Sequence, residues 1–168
     1  YAHIITRIFL ANGIKVYRDF NEQYTQTPVT SYMAQHFNLA CGIEITSSHN
    51  PPNQNGIKSM TSYGGVDTDD ISAKIASYIQ RLYNQGERGR GAVKFAPYDT
   101  DKIEQVDAKE IYYENYMRHL FDNATVDMMK RAMDSGARFI FDGLFGVALR
   151  LLDRDPGAAL RSYGFEGR

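Results

Sequence analysis

The first apolar positions, Ile4, Ile5, Ile8 and Phe9, recur at the spacing of one helix face. That helix is expected to stop at Gly13, a residue able to take the left-handed conformation that closes many helices. The pattern begins inside the helix and without a methionine, as an excerpt cut from a longer chain would. "IKVY" (14–17) then reads as a short strand and "RDFNEQYTQ" as loop. Thr27-Pro28 predicts a helix start, with Thr as N-cap and Pro at the first helical position. Val29, Met33 and Phe37 follow at four-residue spacing as its buried face, and "ACGIEI" (40–45) is the next strand. Helix and strand alternating through short connections predict an α/β fold, a layered mixed β-sheet flanked by helices.

After Lys58, "SMTSYGGVDTDD" reads as a loop with a Gly-Gly bend. Thr68 is the expected N-cap of the following helix, whose first turn carries Asp69 and Asp70 at the positive end of the dipole. Ile71, Ile75, Ile79 and Leu82 make its apolar stripe, closed by Gly86. The polar Gly/Arg/Asp/Lys stretch that follows reads as a connector. Two further helices are expected, "KEIYYENYMRHLFD", with Ile111, Met117, Leu120 and Phe121 as core contacts, and "VDMMKRAMDSG", with gap-filling methionines. "ARFIFDG" is a strand leading through a glycine loop into "LFGVALRLL". The chain therefore divides into residues 1–86, a partial first domain, a linker at 87–105, and 106–168, a partial second domain. Incomplete domains expose sheet edges, so self-association is expected.

Composition narrows the class. Hydrophobic residues make up 43% and charged residues 23%, which suits a soluble globular protein. The formal net charge of -1 gives no electrostatic case for nucleic acid or a membrane surface. The basic cluster in "ERGRGAVK" reads as a solvated part of the connector. A single cysteine, Cys41, excludes an internal disulfide and reads as a small buried thiol in its strand. "NAT" at Asn123 reads as a chance sequon, since no secretory signal precedes it. No apolar run approaches the ~20 residues that span a bilayer, and the cytoplasm is the expected location.

One stretch carries chemistry: "CGIEITSSHNPPNQNGIK" (41–58). Asn, Pro and Gly crowd it because the chain must turn sharply there, and a plain surface loop is the simplest reading. Its placement argues for more. The loop leaves a strand end in an α/β unit, where ligands usually bind. Thr46, Ser47 and Ser48 offer three hydroxyls together, and Lys58 returns a cation across a turn set by Asn55-Gly56. Hydroxyl, polar donors and an ammonium suit phosphoryl transfer, in which positioning and charge neutralisation do most of the work.

These residues carry a resemblance. "GIEITSSHNPPNQNGIK" resembles the phosphoserine loop of the α-D-phosphohexomutases, usually T-A/S-S-H-N-P followed by N-G-x-K. "LANGIKVY" and "TPVTSY" upstream, and "IKSMTSYGG" and "IFDGLFGVALRLL" downstream, stand in the order of that family, and the Gly-Gly interval is that of phosphoglucomutases. The resemblance implies that Ser48 carries a phosphoryl group and gives it to a hexose phosphate. Glucose 1-phosphate and glucose 6-phosphate then interconvert through glucose 1,6-bisphosphate. It implies Mg²⁺ on an oxygen of phosphorylated Ser48. It makes Lys58 the lysine assisting proton movement at the sugar hydroxyl, a role as base that would need a lowered pKa. His49 and Asn50, with Thr46 and Ser47, would shape the loop and contact phosphate or substrate.

The chain also departs from the family. The first strand with its arginine, the Asp-x-Asp-x-Asp-Arg metal loop, the sugar-reading loop and the final phosphate clamp are absent from this sequence. Asp153 and Asp155 in "LLDRDPG" read as solvated helix-end charges rather than a metal loop. The isolated chain is expected to have little or no mutase activity. A truncated mutase serving as a binding module is one alternative. A serine hydrolase using Ser48 and His49 is another, disfavoured because neighbouring residues of an extended loop point apart and no G-x-S-x-G elbow exists.

Overall fold

The computed structural model describes residues 1–20, 24–51, 53–120, 122–138 and 147, with the backbone alone at 117 and 118. In chain order the first elements are α1 (Ala2–Ala11), β1 (Val16–Asp19), α2 (Thr27–His36), β2 (Cys41–Thr46) and β3 (Gly56–Thr61). They are followed by α3 (Asp69–Asn84), α4 (Glu87–Ala92), β4 (Ile103–Val106), α5 (Ala108–Tyr112), α6 (Arg118–Leu120) and α7 (Asn123–Asp134). Residues Tyr1–Gln23 and Thr30–Val106 form one compact unit; Tyr24–Val29 and Asp107–Arg168 form the other. The fold is α/β as expected, with small sheets flanked by helices: β1 pairs β4 in parallel, and β2 pairs β3 antiparallel.

In the first unit, α1 closes at the expected glycine. Gly13 has φ 75°, the Gly13 N–H donates to Leu10 O at 3.2 Å, and the Ile14 N–H donates to Phe9 O at 3.0 Å. This pair of bonds satisfies two of the helix's last carbonyls. It also occupies Ile14, so β1 starts at Val16 rather than at residue 14. The strand continues through Arg18 and Asp19, polar residues kept in place by their register with Gln105 and Val106.

The stretch expected to be a connector is structured. It holds α4 and most of β4, and its middle lies along α1. Arg7 Nε donates to Ala96 O at 2.6 Å, the Arg7 guanidinium sits 3.9 Å from the Phe95 ring centre, and the His3 and Tyr98 rings stack at 4.3 Å. Main-chain pairing and aromatic contacts fix a segment whose polar composition alone reads as linker. Gly89 is buried against the last turn of α3, where a Cβ would fall 1.8 Å from Leu82 O. Gly89→Ala is therefore expected to push α4 off α3 at a cost of about 2 kcal/mol. Faster protease cleavage near residue 86 and a lower urea midpoint would register it.

α3 begins as expected after Thr68, whose hydroxyl bonds the Asp70 carboxylate rather than a backbone N–H. Its apolar stripe is not buried. Ile71 and Leu82 are half-buried, but Ile75 is 42% and Ile79 62% exposed. Periodicity specifies that a helix has an apolar face; it does not specify that a neighbour covers it. α2 starts at Thr27, buries Val29 and Met33 together with Ala34, and leaves Phe37 half-buried on the Tyr17 ring at 5.0 Å.

In the second unit, the helix expected over "KEIYYENYMRHLFD" begins at Ala108, with Asp107 accepting the Glu110 N–H at 3.0 Å. It then widens into a π-helical turn at Tyr113–Met117. Ala108 and Tyr112 are buried and Ile111 half-buried, whereas Leu120 is 50% exposed and is not a core contact. Phe121 and the side chain of Met117 lie outside the described residues. α7 is capped by Asp122, which accepts the Thr125 N–H at 2.7 Å. The Thr125 hydroxyl and this N–H hold the Asp122 carboxyl below the usual carboxylate range. The cap's contribution is complete above the ordinary carboxylate pKa and fades as pH falls through the lowered value. Met129 and Met133 are half-buried, but Met128 is exposed, one methionine fewer in the packing than expected. Of the strand expected over "ARFIFDG", Ala137 and Arg138 are described and carry no strand; its remainder, the glycine loop after it, and Asp153 and Asp155 lie outside the described residues.

Candidate functional site

The site is built on the β2–β3 hairpin. Ile43, Ile45 and Ile57 give both strands β-branched residues, and the register runs from Cys41↔Thr61 to Thr46↔Gly56. The part of β3 after Lys58 is expected as loop, because "SMTS" has little apolar content; Met60, 1% exposed, anchors the strand. α2 covers one face. A Cβ on Gly42 would touch Thr30 Cγ2 at 3.4 Å, and Thr30 Oγ1 donates to Glu44 Oε1 at 3.5 Å. Beyond β3 the Gly64-Gly65 bend docks on α2: Ser31 Oγ donates to Gly64 O and Gln35 Nε2 to Tyr63 O, each at 2.5 Å.

The chain reverses through two successive turns rather than through one Asn-Gly turn. The Asn50 N–H donates to Ser47 O and the Gln54 N–H to Pro51 O, both at 2.9 Å, while Gly56 already belongs to β3. Within the first turn the Ser48 N–H donates to Thr46 Oγ1 at 2.9 Å, so the Thr46 hydroxyl is a brace for the loop. Ser48 itself has φ 55°, a left-handed backbone that a non-glycine residue adopts only where its surroundings impose it.

That backbone turns the Ser48 side chain so that Oγ lies 3.3 Å from His49 Nδ1. The expectation that these neighbours point apart is thereby corrected: an extended loop would separate them, a left-handed serine does not. His49 has no carboxylate partner among the described residues, so the hydroxyl–imidazole pair lacks the third group of a catalytic triad.

The hairpin mouth encloses an open cleft of 380 Å³. Thr46, Ser47, Ser48 and Asn50 line it together with Gln54, Asn55, Gly56, Ile57 and Lys58. Five of the six residues singled out in the sequence thus share one opening; His49 is not among its walls. Gln54 and Ile57 are not among the residues to which the sequence points, and Asn55 enters there only as part of the turn. Their signal was the Pro51–Gln54 turn, which folds the far end of the loop back toward Ser48.

The cleft offers hydroxyls, amides and one ammonium, and no carboxylate lines it. Among the described residues no group of three or more His, Cys, Asp and Glu side chains could hold a metal ion. Magnesium requires near-octahedral oxygen coordination, usually anchored by carboxylates, so the described residues do not fit it. Cys41, expected to be buried, is an exposed free thiol at the outer end of β2. Partial burial, and the charge of Asp67 after it, push that thiol's pKa up. Among the described residues no helix is long and apolar enough to cross a membrane.

An α/β unit presenting a serine hydroxyl and a lysine at one strand-end cleft has the ingredients of a phosphoryl-transfer domain. Residues 1–86 match the family described as phosphoglucomutase/phosphomannomutase, alpha/beta/alpha domain I. The chain is 30% identical over 154 residues to a phosphoglucomutase of Staphylococcus haemolyticus, covering 90% of this chain and 26% of the relative. It is 30% identical over 148 residues to a phosphoglucomutase of Komagataeibacter xylinus (84% and 26% covered) and 26% identical over 155 residues to a phosphomannomutase of Mycoplasma pneumoniae (90% and 26% covered). The chain belongs to the phosphoglucomutase/phosphomannomutase family, whose members are hexose phosphate mutases. It spans about a quarter of the length of these relatives.

Proposed function

We propose that this chain carries the phosphoryl-accepting site of a mutase interconverting glucose 1-phosphate and glucose 6-phosphate, with Ser48 as the carrier. The carrying observation is the shared cleft, in which the Ser48 wall and Lys58 face one opening. In the forward step a hydroxyl oxygen of the hexose phosphate attacks phosphorus on phosphorylated Ser48. The new O–P bond forms as the bond to Ser48 Oγ breaks, the sugar hydroxyl loses its proton, and Oγ is left to take one up. The product is glucose 1,6-bisphosphate, whose other phosphoryl group then returns to Ser48 Oγ. The same bisphosphate loads an empty Ser48 and so acts as the activating intermediate.

Lys58 places a positive charge where the transferring group gathers negative charge, Asn50 and Ser47 supply hydrogen-bond donors, and Thr46 braces the turn. His49 shapes the loop from outside the cleft walls. Mg²⁺, when bound to the phosphoserine, would offset charge during transfer. Its carboxylate ligands would have to come from outside the described residues. The partner is thus a small-molecule hexose phosphate, with neither nucleic acid nor a membrane, in the cytoplasm.

Incubating the purified chain with glucose 1,6-bisphosphate and mapping phosphate by mass spectrometry tests this. One phosphate on Ser48 is expected. Turnover of glucose 1-phosphate by the chain alone is expected to be little or none, because a sugar bisphosphate must be gripped at both ends. Binding of the bisphosphate without transfer would mark a non-catalytic binding module, and no phosphate on Ser48 would end the mutase reading.

A further inference from the structure

The sequence holds two Asn-Gly pairs, and the structure treats them differently. Asparagine before glycine is prone to lose its amide, because a glycine without Cβ lets the next backbone nitrogen reach the asparagine side chain. At Asn12-Gly13 both reacting groups are held. The Gly13 N–H donates to Leu10 O at 3.2 Å, and Asn12 Nδ2 donates to Ile8 O at 2.7 Å and to Lys94 O at 3.4 Å. Asn55-Gly56 is placed otherwise. Asn55 is exposed and lies outside every helix and strand, and the exposed Gly56 forms the last rung of the β2–β3 ladder, where pairing frays first. The loop's other asparagines are guarded. Asn50 precedes Pro51, whose nitrogen has no hydrogen to lose. Asn53 precedes Gln54, whose N–H donates to Pro51 O at 2.9 Å.

We propose that Asn55 is a site of spontaneous deamidation, a modification that puts a carboxylate into the cleft. The Gly56 nitrogen, having given its proton to solvent, attacks Asn55 Cγ. The N–Cγ bond forms as the Cγ–Nδ2 bond breaks, ammonia leaves with a proton from water, and a cyclic imide remains. Water then opens the imide at either carbonyl, giving aspartate or its isomer with one more carbon in the main chain. Aspartate sets a negative charge beside the hydroxyls and Lys58, in a cleft that no carboxylate lines in the intact chain. The isomer does the same and also displaces the Thr46↔Gly56 rung. Both products oppose an incoming phosphate, since like charges repel. That consequence rests on the phosphoryl-transfer reading of the cleft; the deamidation itself does not.

Ageing the full chain in mildly alkaline buffer tests this, with peptide mapping by mass spectrometry and fragmentation to place the change. A mass gain of about 1 Da is expected at Asn55, growing about tenfold faster than at Asn12, the scale of one retained main-chain hydrogen bond. Gly56→Ala is expected to lose most of that gain. Its Cβ would meet only Thr46 O, at 3.9 Å, and the backbone there is not left-handed, so the variant is expected to fold as wild type by circular dichroism. Equal gains at Asn12 and Asn55, a gain placed on Asn50 or Asn53 instead, or an undiminished gain in Gly56→Ala overturns the proposal. Asn55→Asp, one of the two products, is expected to take up phosphate on Ser48 about tenfold more slowly than the fresh chain. An unchanged uptake rate overturns the effect on the cleft. A fresh chain that takes up no phosphate at all ends the mutase reading and leaves the deamidation standing.

Discussion

Alanine at position 48 is expected to abolish phosphoryl uptake from glucose 1,6-bisphosphate, leaving no phosphate anywhere in the 41–58 peptide. Three hydroxyls stand side by side there, yet they are not equivalent. Thr46 Oγ1 already accepts the Ser48 N–H, and its loss should loosen the turn without removing the acceptor. Ser47 O closes the next turn with the Asn50 N–H, so its backbone is committed, but among the described residues nothing bonds its hydroxyl to hold it for transfer. Ser48 alone is presented by a left-handed backbone at φ 55°. Thr46→Ala and Ser47→Ala should therefore still take up phosphate, at a reduced rate. Lys58→Ala should slow uptake about a hundredfold, the usual scale for losing one electrostatic contact to developing charge. Phosphate appearing on Ser47 in Ser48→Ala would show that the loop, not the residue, is the acceptor.

The largest structural effect is expected at Gly64. Its φ is 78°, and a Cβ there would lie 2.6 Å from both Gln35 Nε2 and Ser31 O. Valine adds a β-branched side chain in a conformation that such residues rarely adopt, and drives it into α2. Both penalties apply at once, and Gly64→Val should lose about 4 kcal/mol of stability. The Ser31 and Gln35 bonds that dock the bend would go with it. A urea titration followed by circular dichroism measures the loss. A variant folding within about 1 kcal/mol of wild type would mean that the bend does not clamp α2 to the hairpin.

Where the sequence was legible, local physics set the structure. The Gly13 closure, the Thr68 boundary and the strand before the serines follow from single residues and short periods. The misreadings came from distant partners. Arg18 and Asp19 are strand because of β4, and Phe95 and Tyr98 are anchored because of Arg7 and His3. Ile75 and Ile79 are exposed although their spacing is that of a buried stripe. At the site, the clustering of Thr46, Ser47, Ser48, Asn50 and Lys58 was legible, but Gln54 and Ile57 entered only through the second turn of the loop. The Ser48–His49 contact depends on one dihedral angle, which no propensity scale assigns to serine.

That dihedral has a consequence for which alcohol can occupy the position. Threonine would offer the same nucleophilic oxygen, but its extra methyl group sits on Cβ, where a positive φ leaves least room. Ser48→Thr should therefore forfeit the loop's shape while retaining its reagent. The fold discriminates between the two hydroxyl amino acids on shape alone.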